Sequence, residues 1–164
     1  MEKTMLIVGL LAISTLGFLG SAWGQGMGGH SMHGAAQEQG KQVMGKPGDP
    51  AKISRTLEIS LNDTMRFTPD KITVQVGETL RFKLTNSGKL VHEYVLGAAD
   101  ELKAHAEEMR KHPGMMQNEP NAISLEPGKS GFLVWQFTEK GAVNFACLVP
   151  GHLEAGMVGT VIVE

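Results

Sequence analysis

The stretch that decides the fold of this chain lies near its C-terminus and reads Ala146-Cys147-Leu148-Val149-Pro150-Gly151-His152-Leu153-Glu154-Ala155-Gly156-Met157. It contains the only cysteine of the 164 residues, a histidine five positions later and a methionine five positions after that. Pro150 and Gly151 favour a turn, so the stretch is predicted to be a loop. Strand-like segments at 142–147 and 158–163 flank it, which predicts that Cys147 ends one strand and faces the core.

The side chains of this loop are metal ligands of one chemical kind. Thiolate, imidazole and thioether groups select copper over hard cations, and a trigonal His2Cys set with a weak axial Met describes a blue-copper site. Cys147, His152 and Met157 supply three donors, so the remaining imidazole must come from elsewhere. His92 is our candidate because it begins an apolar, strand-like run. Calcium and magnesium prefer oxygen ligands, and divalent copper binds such donors more tightly than zinc does.

The ligand spacing and the upstream segment together resemble a known family. Cys147-x4-His152-x4-Met157, an earlier histidine that begins a strand, and a further segment are similar to the cupredoxins of the plastocyanin and azurin type. That further segment reads Phe67-Thr68-Pro69-Asp70-Lys71-Ile72-Thr73-Val74-Gln75-Val76-Gly77. The resemblance implies an all-β Greek-key cupredoxin β-sandwich over residues 53–164, holding one type 1 copper ion.

Two details refine the resemblance. The inserted segment 101–106 is most similar to bacterial periplasmic cupredoxins associated with copper tolerance. Many cupredoxins carry Asn directly after the first histidine, where it helps to tie the ligand loops together, whereas this chain has Glu93. The resemblance also implies that His152, among apolar neighbours, offers a partly exposed route from the metal to a redox partner.

Alternating apolar residues predict the strands of the domain from residue 53 onward. The alternation runs through Leu57, Ile59, Leu61, Ile72, Val74, Val76, Leu80, Phe82 and Leu84. Strands at such short spacing indicate a β-sandwich. Residues 130–137 are apolar at nearly every position, so we expect this strand to be central and buried on both faces.

Residues 100–111 interrupt the strand pattern and predict one short inserted helix. Leu102, Ala106 and Met109 fall on one helical face, and Asp100 is the expected cap at its start.

The same segment carries a second set of donors. His105, Met109 and His112 also lie at i, i+4 and i+7, with Met115 and Met116 just beyond. Two interpretations stay open, namely a soft Cu(I) site, or a packed Met109 with histidines that are solvated or near the negative helix C-terminus.

Residues 1–24 are predicted to be a secretory signal. Lys3 supplies positive charge, residues 5–20 are almost uninterruptedly apolar, and cleavage is expected after Ala22 or Gly24. The apolar run is short of the about 20 residues that a membrane span needs, so we expect a periplasmic protein without membrane insertion after cleavage, an uncleaved anchor being the alternative. Metal ligation then explains an unpaired cysteine in an exported chain.

Residues 25–52 are rich in glycine and small polar residues and are predicted to be a flexible arm. The arm contains His30, Met32 and His33, and short His-rich tracts bind metal. A copper-capturing arm and a plain linker with a biased composition both stay open.

Composition excludes several classes of function. The net charge is only -2 and the charged residues are scattered, which argues against binding to nucleic acid. The chain has no phosphate-binding glycine loop and no His-x-His pair for further coppers, so we do not expect an enzyme. A monomer is expected.

Two functions therefore follow from the sequence. The first is a periplasmic type 1 copper protein that cycles between Cu(I) and Cu(II), for single-electron transfer, copper tolerance or both, with a redox partner or copper-handling proteins. The alternative is a dedicated copper-sequestering homeostasis protein with an auxiliary His/Met site and no redox partner.

Overall fold

Short alternating segments form ten strands and one α-helix within residues 45–112 and 119–164, which are the residues that the computed structural model describes. In chain order they are β1 (Gly45–Pro47), β2 (Arg55–Asn62), β3 (Arg66–Thr68), β4 (Lys71–Val74), β5 (Thr79–Asn86), β6 (His92–Gly97), α1 (Ala99–Lys111), β7 (Ala122–Leu125), β8 (Ser130–Phe137), β9 (Gly141–Ala146) and β10 (Val158–Val163).

The strands of this part of the chain pair into two five-stranded sheets. One has the order β1-β8-β5-β2-β3 and the other has the order β4-β10-β9-β6-β7. The β2–β5 and β4–β10 pairs are parallel and the other pairs are antiparallel. This arrangement confirms the predicted all-β sandwich with one inserted helix.

The core lies between the two sheets and is built by the alternation seen in the sequence. Inward residues of the first sheet include Ile59, Leu61, Leu80, Phe82, Leu84, Leu133, Trp135 and Phe137, and those of the second include Ile72, Val74, Tyr94, Leu96, Val143, Phe145, Val161 and Val163. At its centre the Tyr94 ring stacks on Phe145 with centroids 4.9 Å apart, and Phe67 meets Tyr94 edge-on at 5.7 Å. Such aromatic packing anchors β6 against β9 from the inside.

The prediction that residues 130–137 form a strand buried on both faces is wrong. In β8 the side chains of Leu133, Trp135 and Phe137 point inward, while Phe132 is 60% exposed. The strand that is buried at all six positions is β6, because α1 covers its outer face. A largely apolar run does not by itself distinguish a strand covered on both faces from one whose outer face contacts water.

Helix α1 packs on the second sheet through the face predicted for it. Leu102, Ala106 and Met109 are buried and form a small cluster with residues of β6 and of the β9 end. Asp100 lies in the first turn rather than at the cap, which is Ala98, and the Glu101 carboxylate accepts the Ala98 N–H at 3.1 Å. Acidic residues in a first turn also complement the positive helix end.

Part of the segment expected to be a flexible arm belongs to the sandwich. β1 pairs with β8, and the Gly48 N–H donates to the Val134 carbonyl at 3.0 Å. Gly45 allows this approach, since a Cβ there would lie 2.3 Å from the Trp135 indole nitrogen. The predicted signal and the donors His30, Met32 and His33 lie outside the described residues. Among residues 45–112 and 119–164, no helix is long and apolar enough to cross a membrane.

Candidate metal centre

Three predicted ligands come together at one end of the sandwich. His92 begins β6, Cys147 directly follows β9, and His152 lies in the loop between β9 and β10. Sγ of Cys147 lies 3.2 Å from Nδ1 of His152 and 4.0 Å from Nδ1 of His92. The three donor atoms all lie within 4.8 Å of one another, and all three residues are buried. No second cluster of three or more histidine, cysteine or acidic ligands is found in the described part of the chain.

Backbone hydrogen bonds hold the ligand loop at its base. The pairing of β9 with β10 continues into the loop, where the Cys147 N–H donates to the Met157 carbonyl at 3.1 Å. The Met157 N–H in turn donates to the His152 carbonyl at 3.0 Å. Met157 is fully buried and belongs to the same core cluster as Cys147. The fourth predicted ligand therefore lies directly across the loop base from the cysteine.

The sulfur of Cys147 lies in an apolar setting with two directed donors. Burial raises the pKa of the Cys147 thiol to about 11; the backbone N–H groups of Glu93 and Val149, which point at the sulfur, act in the opposite direction. Without a cation nearby the sulfur is thus a thiol at neutral pH. A bound metal ion supplies the positive charge that keeps a coordinating thiol deprotonated.

His152 lies nearest to the surface among the predicted ligands. Its exposed fraction is 8%, whereas His92, Cys147 and Met157 are at 0%. Burial, assisted by the neighbouring His92 ring, lowers the pKa of His152. Its imidazole is therefore neutral at pH 7, which is the form that binds a metal.

Comparison with known proteins places this arrangement in a family. Residues 53–164 match the model of the copper binding proteins of the plastocyanin/azurin family. The chain belongs to this cupredoxin family.

Proteins from several bacteria are similar to it. The copper-resistant cuproprotein CopI of Rubrivivax gelatinosus is 46% identical over 131 residues, covering 80% of this chain and 79% of that protein. The copper-resistant cuproprotein CopI of Vibrio cholerae is 32% identical over 175 residues, with 98% of each chain covered. The reduced auracyanin of Roseiflexus castenholzii has the same fold, with a TM-score of 0.58, 24% identity, and coverage of 68% of this chain and 98% of auracyanin.

Glu93 occupies the position where many cupredoxins have Asn, and it also links the two ligand loops. Its backbone N–H donates to Sγ of Cys147 at 3.3 Å, and its buried carboxylate accepts the N–H of Leu148. Burial raises the pKa of the Glu93 carboxyl, and His105 of α1 acts in the opposite direction. Glu93 in place of Asn therefore still connects the chain after His92 to the loop after Cys147, and it adds an electrostatic interaction with His105 of α1.

Asp63, in the turn between β2 and β3, also belongs to this centre and was not predicted from the sequence. Its Oδ1 atom lies 3.1 Å from Nε2 of His92, on the opposite side of the ring from Cys147. The N–H of Lys89, helped by His92 and the N–H of Leu90, holds the pKa of Asp63 below its ordinary value. A turn aspartate lies 29 positions before His92, and no local motif connects the two residues.

Among the described residues, each donor of the second set considered on α1 has another neighbour. Met109 packs in the cluster under the helix, His105 interacts electrostatically with Glu93, and Nε2 of His112 lies 3.1 Å from a carboxylate oxygen of Glu108. Met115 and Met116 lie outside the described residues.

Helix α1 also contacts the ligand loop through Arg110, whose guanidinium donates to the Glu154 carboxylate at 3.0 Å.

Proposed function

We propose that this cupredoxin is a periplasmic copper-tolerance protein with one type 1 copper ion that cycles between Cu(I) and Cu(II). His92, Cys147, His152 and Met157 are the proposed ligands. The observation that carries the proposal is the buried cluster of two imidazoles and one thiol, with donor atoms within 4.8 Å of one another. The relatives, named as copper-resistant cuproproteins, support copper tolerance.

The donor set fits a single copper ion in spacing and in chemistry. Imidazole and thiolate bind a borderline ion such as Zn²⁺ at about 2.0–2.3 Å, so donors of one ion lie within about 4.6 Å of one another. The Sγ–Nδ1 separations of 3.2 and 4.0 Å fall inside this range. One thiolate with two imidazoles and a weak axial thioether is the set that characterises blue-copper sites.

The protein would supply a stiff and partly shielded environment for this ion. Copper in such a site exchanges one electron at a time. The N–H groups of Glu93 and Val149 stabilise the thiolate, and the hydrogen bonds at the loop base hold Cys147 and Met157 in place. His152, with its exposed fraction of 8%, is the proposed point of contact for a redox partner or a copper-handling protein.

We propose export through residues 1–24, a monomeric state, and copper binding without an enzymatic reaction. The almost uninterrupted apolar run at 5–20 supports export.

A dedicated copper-sequestering protein is the second candidate. The observation that favours it is the density of donors in the N-terminal segment, where His30, Met32 and His33 lie within four positions. In that case an auxiliary His/Met site would add capacity, and no redox partner would be needed.

Titration of the purified mature protein with Cu(II) tests the proposed centre. We expect a strong visible thiolate-to-copper absorption band that saturates at one ion per protein and is absent in Cys147→Ser. Reversible one-electron voltammetry of the loaded protein is expected as well. Saturation without a thiolate band, or a band that survives in Cys147→Ser, would refute the ligand assignment.

Copper sensitivity of a deletion strain separates the two candidates. We expect wild-type protein to restore growth in copper, and Cys147→Ser to fail. A triple variant of His30, Met32 and His33 should restore growth nearly fully if the cupredoxin centre provides tolerance. Loss of rescue in the triple variant alone would instead favour sequestration by the N-terminal segment.

A further inference from the structure

Asp63 contacts both His92 and the chain that leads into it. Its carboxylate faces Nε2 of His92 at 3.1 Å and accepts the N–H groups of Lys89 at 2.8 Å and Leu90 at 3.2 Å. One side chain therefore holds the ring of a proposed ligand and the two peptide groups of the approach to β6. The ring is fully buried, while the side chain of Asp63 is 36% exposed.

The chain around Asp63 is shaped to admit this carboxylate. A Cβ on Gly88 would lie 2.0 Å from Oδ1 of Asp63, so any larger residue at position 88 would displace the side chain. Asn86 is fully buried and holds the same turn, because its amide donates to the carbonyls of Leu90 and Leu125 and its oxygen accepts the N–H of Gly88.

The geometry determines which ring nitrogen of His92 is available to a metal. Nδ1 points toward Sγ of Cys147 at 4.0 Å, and Nε2 points toward the carboxylate of Asp63. A carboxylate accepts hydrogen bonds only, so it selects the tautomer with the proton on Nε2. Nδ1 then keeps its lone pair for the metal, and an outer carboxylate also raises the basicity of the ligating nitrogen.

We propose that Asp63 is a positioning residue of the copper site that orients His92 through Nε2 and favours Cu(II) over Cu(I). The preference for Cu(II) follows from charge, because the Asp63 carboxylate stabilises the higher positive charge of Cu(II) more strongly than the charge of Cu(I). The proposal rests on copper binding at His92 as proposed above. The orientation of the His92 ring by Asp63 applies to the metal-free protein as well.

Asp63→Asn is the informative variant because it keeps an oxygen acceptor and removes the charge. We expect the affinity for Cu(II) to fall about tenfold and the affinity for Cu(I) to change little, within the range known for partners of metal-bound histidines. For a one-electron couple, a tenfold change in the affinity ratio raises the reduction potential by about 59 mV. The shift should shrink at high ionic strength, because Asp63 is partly exposed.

Glu58→Gln is the matched control. Glu58 is an exposed carboxylate on β2 that pairs with Lys83, so this variant makes the same change in net charge away from the site. Its potential should equal that of the wild-type protein. A potential that is unchanged or lower in Asp63→Asn, or an equal rise in Glu58→Gln, would overturn the charge effect.

Nitrogen-15 NMR of the metal-free protein tests the orientation directly. We expect the His92 ring to carry its proton on Nε2 in the wild-type protein. Asp63→Ala should mix the tautomers and speed amide exchange at Lys89 and Leu90. A mixed tautomer in the wild-type protein, or an unchanged one in Asp63→Ala, would overturn the positioning role. This result stands even if the loaded protein shows no reversible voltammetry, so the two proposals fail separately.

Discussion

The backbone N–H of Glu93 donates a hydrogen bond to Sγ of Cys147 over 3.3 Å, although the two residues lie 54 positions apart in the chain. The bond spans the neighbouring strands β6 and β9, whose register pairs Val95 with Ala146. It brings the buried Glu93 carboxylate close to the sulfur, where its negative charge opposes ionisation of the thiol.

Removing the charge of Glu93 should therefore ease deprotonation of the cysteine. In metal-free Glu93→Gln we expect a lower Cys147 thiol pKa, since the amide oxygen still accepts the Leu148 N–H but carries no charge. The ultraviolet absorbance of the thiolate, followed against pH, measures this. Glu93→Ala, which also loses the hydrogen bond to Leu148, serves as the comparison. An unchanged or higher pKa in Glu93→Gln would contradict the assigned charge effect.

The stability of the metal-free protein should fall at alkaline pH because of Cys147. Burial raises the thiol pKa from its ordinary value of 9.0 to about 11, so the unfolded chain loses this proton first as the pH rises. The contribution of the protonated Cys147 thiol to the free energy of unfolding is therefore fully present below pH 9 and is lost as the pH rises through about 11. Two pKa units correspond to at most about 3 kcal/mol.

Cys147→Ser isolates this contribution, because the other titrating groups are common to both proteins. The difference in unfolding free energy between wild type and Cys147→Ser, measured by denaturant titration, should shift against the wild-type protein across this pH range. If the unfolding free energies of the two proteins, plotted against pH, stay parallel from neutral to alkaline pH, burial does not suppress ionisation of the thiol.

Met157→Leu should change the metal site far more than the fold. Met157 is fully buried, and a substitution of similar volume costs less than about 1.5 kcal/mol. Loss of a weak sulfur donor should disfavour Cu(II) and raise the reduction potential, since the axial ligand tunes such sites. Voltammetry of loaded wild-type and variant protein measures the change. Equal potentials would remove Met157 from the ligand set.

Helix α1 should be held on the sandwich by packing rather than by its ion pairs. Met109→Ala removes a buried side chain from the cluster with Leu102, Ala106 and Leu148, so we expect a loss of about 2–5 kcal/mol. Arg110→Ala removes the partly exposed pairs with Glu107 and Glu154 and should cost no more than about 1 kcal/mol. Denaturant unfolding compares them, and a larger loss in Arg110→Ala would reverse this ranking.

The fold class could be predicted because its signals are local. Alternation at Ile59, Leu61, Phe82 and Leu84 placed these side chains in the core, and the helical spacing of α1 placed its buried face. The proposed ligands Cys147, His152 and Met157 share one loop, so their spacing alone indicated a copper centre.

The sequence could not predict in the same way which strand faces are covered, or which residues surround the ligands. The apolar run of β8 has an exposed Phe132, whereas β6 is covered because α1 packs across it. Both outcomes depend on which elements lie next to each other, and that information is absent from the periodicity of a single segment.

The sequence by itself determined the donor chemistry, the alternation that closes a sandwich, and the loop that carries three of the four proposed ligands. Only the tertiary structure decided that Asp63 meets His92 and that the Glu93 N–H meets Cys147, 29 and 54 positions apart. The physical reason is that strand pairing sets such distances. A hydrogen bond between distant residues has no local signal, because it exists only once β2, β6 and β9 have been brought together.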